Sequence, residues 1–176
     1  MGKEKKCTLY KKYTSYKKCI PYLILAGFTF FFCWWFVGRH GIFGAKVDWL
    51  SQHSVLPDYF RQQFYATGKI FPEFAPNLGG GQNIYHFAYY GLYSPLILPS
   101  YLFPFVKMSD YIMVISITGL TVSVLLFYYW LKSRKMDTGV AFIISLMFLL
   151  AGPMIGQYSG QIMFVDYMPF LCLALI

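Results

Sequence analysis

The chain has 176 residues, 57% hydrophobic and 22% aromatic, with only 12% charged and a mean hydropathy of +0.49. Soluble domains carry about 25% charged residues, so long apolar runs with so little charge exclude an ordinary soluble domain and indicate an integral membrane protein. The net charge of +8 does not indicate nucleic-acid binding, because Lys3, Lys5, Lys6, Lys11, Lys12, Lys17 and Lys18 all precede the first apolar run, where the positive-inside rule expects a cytoplasmic end.

Residues 1–19 therefore read as a basic cytoplasmic tail and 20–37 as a first span. Ile20 to Val37 exceeds the roughly 7–15 apolar residues of a signal-peptide core, and no A-x-A-like site follows, so an uncleaved helix is expected. Trp34 and Trp35 at its far end suit the headgroup layer. Residues 38–110 then form a long outer loop holding all three histidines, and such loops are usually functional. Within it Trp49, His53, Leu56, Phe60 and Phe64 recur at helical spacing, beside a stripe of Asp48, Gln52, Val55 and Tyr59. That pattern predicts a short amphipathic helix or two on the membrane surface, broken at Pro57. The stretch "FPEFAPNLGGGQN" is expected to be irregular, given its two prolines and run of glycine.

Residues 91–106 are apolar but short, and Pro95, Pro99 and Pro104 interrupt them, so a re-entrant or interfacial segment is expected. Residues 111–131 form the second span, with "KSRK" opening a cytoplasmic loop at 132–138. Had 91–106 crossed, that basic cluster would face outward. A third span follows at 139–156, kinked or ended by Pro153, then an outer turn at 157–162. Residues 163–176 begin a fourth span but fall short of the about 20 residues of a full crossing, so an N-terminal fragment of a longer polytopic protein is expected. The fold class is all-α: a polytopic transmembrane helical protein whose long outer first loop carries short interfacial helices.

On this topology Asp48, Asp58 and Glu73 lie in the outer loop, and Asp110 caps the outer start of the second span. Asp48 suits either a helix N-cap or a catalytic carboxylate. Asp166, in "QIMFVDYMPF", is an acid near the outer end of an apolar segment. Such a residue is costly, and either works in function or pairs with a helix end. Two carboxylates at one surface supply a general base, or a seat for a divalent cation against a phosphate; no other cofactor is indicated. No metal site is evident, since His53 and His86 lack ligand spacing and Cys7, Cys19, Cys33 and Cys172 form no CxxC pair. "LGGGQN" lacks the Lys-Ser/Thr of a P-loop, and Ser51, His53 and Asp48 lack a nucleophile-elbow context.

Three stretches carry a family likeness: "VDWLSQHSVLPDYFRQQF", "FPEFAPNLGGGQNIYHFAYYGLYSPLILPSYLFP" and "YSGQIMFVDYMPFLCLAL". In order and spacing they resemble the YfhO family of bacterial multi-pass membrane proteins, which is similar to the GT-C glycosyltransferases. The resemblance implies a GT-C-like fold in the bacterial cell membrane. It also implies a polyprenyl-phosphate-linked sugar donor used on the outer face, and a cell-envelope polymer such as teichoic acid as acceptor. Asp48 stands where such enzymes carry their catalytic carboxylate, with Asp166 as a supporting acid. Gln52, His53 and Asn83 become candidate substrate contacts, and Arg39, Lys46, Arg61 and Lys69 the outer cations for the leaving phosphate. A reading from another class is a non-catalytic membrane transporter or scaffold for envelope polymer assembly, with the loop as a docking surface.

Overall fold

An apolar run in a bilayer must satisfy its own backbone, and a continuous helix does so. The computed structural model describes residues 2–40, 44, 48–161 and 166–176; Lys46 and the start of the fourth apolar segment at Met163 lie outside them. Helix α1 spans Gly2–His40, and its part Lys18–Arg39 is long and apolar enough to cross a membrane. Helix α3, Met108–Ser133, is so as well. The third apolar run is divided into α4 (Thr138–Leu150) and α5 (Gly152–Gly160), bent by 46° at Ala151. Pro153 falls in the first turn of α5, where its missing N–H costs no helical bond. The last helix, α6, is Met168–Ala174.

The outer turn expected at 157–162 needs correction, because Gln157 to Gly160 continue α5. Tyr158 is buried there and its hydroxyl lies 3.0 Å from Ser123 Oγ on α3. That anchoring outweighs the low helix propensity of glycine and serine. Asp110 also differs: it sits inside the first turn of α3, suited to the helix dipole, while Lys107 occupies the N-cap.

Helix α3 is the hub, packed by α1, α4, α5 and α6. Leu25 and Cys33 of α1, Ile112, Leu120, Val124 and Tyr128 of α3, Ala141 and Leu149 of α4 and Tyr158 of α5 share one buried cluster. The serines that α3 and α4 bury are satisfied locally: Ser116, Ser123 and Ser145 donate to the carbonyls of Ile112, Gly119 and Ala141 at 2.7–2.8 Å. Tyr22 and Tyr128 meet edge to face at 4.8 Å, and Lys18 and Lys132 line one cavity. Helices α1 and α3 are therefore antiparallel, with Lys18 of one beside Lys132 and Ser133 at the end of the other. Leu23, Phe31 and Trp34 of α1 and Ile143 and Met147 of α4 stay exposed, an apolar surface suited to lipid tails.

The segment between α1 and α3 builds a second core. A π-helical turn, Trp49–His53, leads into α2, Val55–Thr67. The predicted stripe holds, with Trp49, His53, Leu56 and Phe60 all buried. The predicted break moves: Pro57 lies within α2, and the irregularity precedes it. Pro57 has no N–H to give the carbonyl of His53 four residues back. The turn widens instead, so that Ser54 N and Oγ both bond the Trp49 carbonyl, at 3.1 and 2.8 Å. The apolar face of α2 also differs from the expected surface helix, since Leu56 and Phe60 pack with Ala75, Ile84, Leu92 and Tyr101 of the same loop. Helix α2 ends at Gly68, left-handed at φ 70°, whose N–H bonds the Phe64 carbonyl at 2.8 Å.

The glycine-rich stretch is more ordered than predicted. Strands β1 (Phe74–Ala75) and β2 (Gln82–Asn83) pair antiparallel, Phe74 opposite Asn83. Gly79, Gly80 and Gly81 all take positive φ and close the turn between them, a conformation other residues resist. Residues 84–102 hold only short 3-10 helices, Ile84–Tyr90 and Leu98–Leu102, and turns. Neither is long enough to cross a bilayer as a helix.

Gly119 tests the central packing. A Cβ there would lie 3.3 Å from Tyr158 Cε1 and 3.8 Å from Pro169 Cγ, where α5 and α6 close on α3. Gly119→Leu is expected to overpack this junction, cost about 1–3 kcal/mol and lower the thermal midpoint of the purified protein. Gly27→Leu, with open space around its Cβ, should leave the midpoint near wild type in the same thermal-shift measurement.

Candidate active site

Four separate parts of the chain, α3 with Ile115 among them, converge on one narrow cavity of about 10 Å³, on the order of a single water. The π-turn and α2 supply His53 and Pro57, the 3-10 region supplies Tyr90, Ser94 and Ile97, and the turn that leads into α6 supplies Asp166. Ser94 Oγ donates to Asp166 Oδ2 at 3.0 Å, joining positions 72 apart in sequence. Asp166 is half-buried, so this hydroxyl compensates part of the hydration its carboxylate loses. The same Ser94 oxygen accepts from Leu96 N at 3.2 Å, which fixes the turn at Pro95.

The π-turn determines what faces the cavity. It puts His53 inside, 4% exposed, with its ring 5.5 Å from that of Tyr90. Gln52, one residue earlier, accepts a hydrogen bond at Oε1 from the Tyr90 hydroxyl. Asp48 opens the turn and is half-buried, but its side chain makes no capping hydrogen bond. Of the two roles the sequence left open, N-capping is thus the one its side chain does not perform. Its charge reaches the site all the same. Burial lowers the pKa of His53 below the usual histidine value, and Asp48 opposes that shift. Burial pushes the Tyr90 phenol up to about 12, with Tyr89 and Asp48 adding to the rise. At neutral pH the cluster is therefore a neutral imidazole and a protonated phenol within reach of Asp48.

The remaining sequence candidates have other positions. Arg61 is buried and bonded on several sides: to Asp58 Oδ1 at 2.6 Å, and to the carbonyls of Phe103 at 3.2 Å and Val106 at 2.9 Å. Its guanidinium fastens α2 to the segment that leads into α3. Asn83 is exposed, and its Oδ1 caps the following 3-10 helix by accepting from Tyr85 N at 2.9 Å. Arg39 stacks over Trp35 at 5.5 Å, and Lys69 is exposed. Among the described residues no three His, Cys, Asp or Glu side chains converge as a metal set.

From sequence, Tyr90 is one of the aromatics of "YHFAYYGLY" that suit the membrane interface or sugar stacking, and Ser94 has no assigned role. The signal was present in the Tyr-Tyr pair and the Ser-Pro of "AYYGLYSP", which belong to the family likeness, but nothing local shows what either hydroxyl meets.

Helices of spanning length with apolar outer faces, joined by a folded polar segment, define a helical membrane protein. The chain belongs to the YfhO family: the family model for bacterial membrane protein YfhO matches residues 18–176. No curated protein and no solved structure matches it.

The electrostatic coupling is open to measurement. Because burial lowers the His53 pKa, an unfolded chain takes up that proton first as pH falls below about 6.5, and stability drops from there down to the folded value. Asp48→Asn removes the charge that favours the imidazolium, so the His53 ring should titrate at a still lower pH. NMR of ring-labelled histidine in detergent micelles, assigned by His53→Gln, checks this; an unmoved titration would separate Asp48 from the site.

Proposed function

We propose that this protein is a GT-C-like, multi-pass glycosyltransferase of the bacterial cell membrane, with its N-terminus in the cytoplasm. It transfers a sugar from a polyprenyl-phosphate donor to a hydroxyl of a cell-envelope polymer, such as teichoic acid, on the outer face. The observation that carries the reading is the convergence of His53 and Asp166 on one cavity, with Asp48 near enough to act on His53 and Tyr90. Family membership supports the membrane setting.

In this mechanism Asp48 is the general base. Its carboxylate takes the proton of the acceptor hydroxyl as that oxygen attacks the anomeric carbon, and the bond to polyprenyl phosphate breaks with its electron pair leaving on the phosphate. A cavity with room for about one water does not hold a sugar ring, so Asp166 acts as a positioning residue. Through Ser94 it fixes the Tyr90 loop, and Tyr90 in turn orients Gln52 in the same turn as Asp48. Gln52 and His53 are the substrate contacts this arrangement favours. Arg61 is already neutralised by Asp58 and Asn83 already caps a helix, so both support the loop in this reading. A divalent cation, if used, would draw on Asp48 with the substrate's own phosphate oxygens.

General-base removal typically costs about 10²–10⁴ in rate, so Asp48→Asn should lose at least about a hundredfold in sugar transfer with membrane insertion intact. Asp166→Asn, which still accepts from Ser94, should lose much less than Asp166→Ala. Transfer of radiolabelled sugar from the polyprenyl-phosphate donor in membranes measures both. Wild-type transfer by Asp48→Asn would overturn the assignment and favour the transporter or scaffold.

A further inference from the structure

At the basic end of the α1–α3 pair, far in sequence from Asp48, lies a cavity of about 550 Å³. Lys18 and Tyr22 of α1, Tyr128, Tyr129 and Lys132 of α3 and Thr138 of α4 line it. Lys18 opens the membrane-length part of α1, and Lys132 lies in the last turn of α3. Both ammonium groups therefore sit where a spanning helix leaves hydrocarbon for headgroups. Lys132 Nζ donates to the Met136 carbonyl at 2.8 Å and to Thr138 Oγ1 at 2.9 Å, which holds its charge in place and leaves one of three N–H donors. Lys18 is exposed. Among the described residues the only ion pair is Arg61–Asp58, so neither lysine is neutralised by a carboxylate in contact. Asp137 feels the charge of Lys132, but its carboxylate is held chiefly by capping α4, accepting from Gly139 N at 2.8 Å and Val140 N at 3.3 Å.

We propose that this cavity is a binding site for the phosphate headgroup of an anionic glycerophospholipid. Lys18 and Lys132, neither in a contact ion pair among the described residues, supply point charges of the kind phosphate needs. Tyrosine rings supply walls that are apolar along the side and polar at the tip, as suits the interface. The volume lies in the range of about 300–1,000 Å³ typical of small-ligand pockets. Basic pockets between spanning helices recognise anionic headgroups in this way. The site depends on the membrane setting and is independent of the glycosyltransferase reading. A free phosphate compound presents the same chemistry without acyl chains, but the exposed apolar flank of α1, with Leu23 and Ile24, continues from the cavity and favours the lipid.

Native mass spectrometry of the detergent-solubilised protein tests this by titration with phosphatidylglycerol, phosphatidylcholine and glycerol 1-phosphate. Phosphatidylglycerol should bind in preference to both others. Lys18→Gln should weaken it by about fivefold, from the roughly 1 kcal/mol that each basic residue near an anionic surface supplies. Lys18→Arg, which keeps the charge, should bind as wild type, and so should Lys107→Gln at the opposite end of α3. Equal phosphatidylglycerol binding by wild type and Lys18→Gln, or equal uptake of phosphatidylcholine, would overturn the proposal. Glycerol 1-phosphate binding as tightly as the lipid would overturn the lipid as its source.

Discussion

The hydrogen bond from Ser94 to Asp166 is the contact on which the arrangement of the site depends. A carboxylate beside an apolar helix is expensive unless something replaces its water. The hydroxyl that does so comes from the folded segment between α1 and α3, so one polar contact couples that segment to the turn that leads into α6. Tyr90 is four residues upstream of Ser94 and bonds Gln52, so the same coupling extends to the turn that begins at Asp48. The chain thus links three sequence-distant pieces through side-chain polarity, at a place where apolar burial alone would not specify which residues face one another.

A second fastening keeps the segment seated. Arg61 binds Asp58 on its own helix and two carbonyls at the end of the proline-rich stretch. Those carbonyls belong to irregular backbone without helical partners, and a guanidinium with several donors in a fixed fork satisfies more than one at once. Leu56 and Phe60 then complete a core separate from the one between the long helices. The segment from α2 to the start of α3 is therefore a folded unit with its own apolar interior, held to the helical body at α3 and through Asp166.

The long helices were legible because their signal is local: an apolar run of sufficient length, ended by lysine or arginine. The stripe through Trp49, His53 and Phe60 was legible for the same reason, since periodicity marks the buried face whatever covers it. What covers it was not legible. An amphipathic helix that lies on lipid and one that closes over its own loop show the same spacing, and only the contacts with Ala75, Ile84 and Tyr101 distinguish them. The three glycines after Leu78 concealed a hairpin because they form its turn, while the paired residues, Phe74–Ala75 and Gln82–Asn83, are too few to show alternation. Asp48 and His53 were identified from sequence, but Tyr90 and Ser94 were not. Aromatic and hydroxyl residues in an apolar loop are common, and their partners lie tens of residues away. Arg61 was read as free charge for the same reason, its carbonyl partners being over forty residues downstream.

The missing N–H of Pro57 has a consequence for angular phase. An α-helix advances about 100° per residue, and a π-turn absorbs an extra residue without carrying the advance into the next turn. The widened turn before Pro57 thus works as a phase shifter: it offsets the azimuth of Asp48, Gln52 and His53 from the one an unbroken helix would give them. The anchoring face of α2, with Phe60 and Arg61, and the turn that carries Gln52 and His53 therefore follow one another without a loop but with that offset between them. A chain built this way can keep the seating of its helix while the chemistry of the preceding turn changes around it.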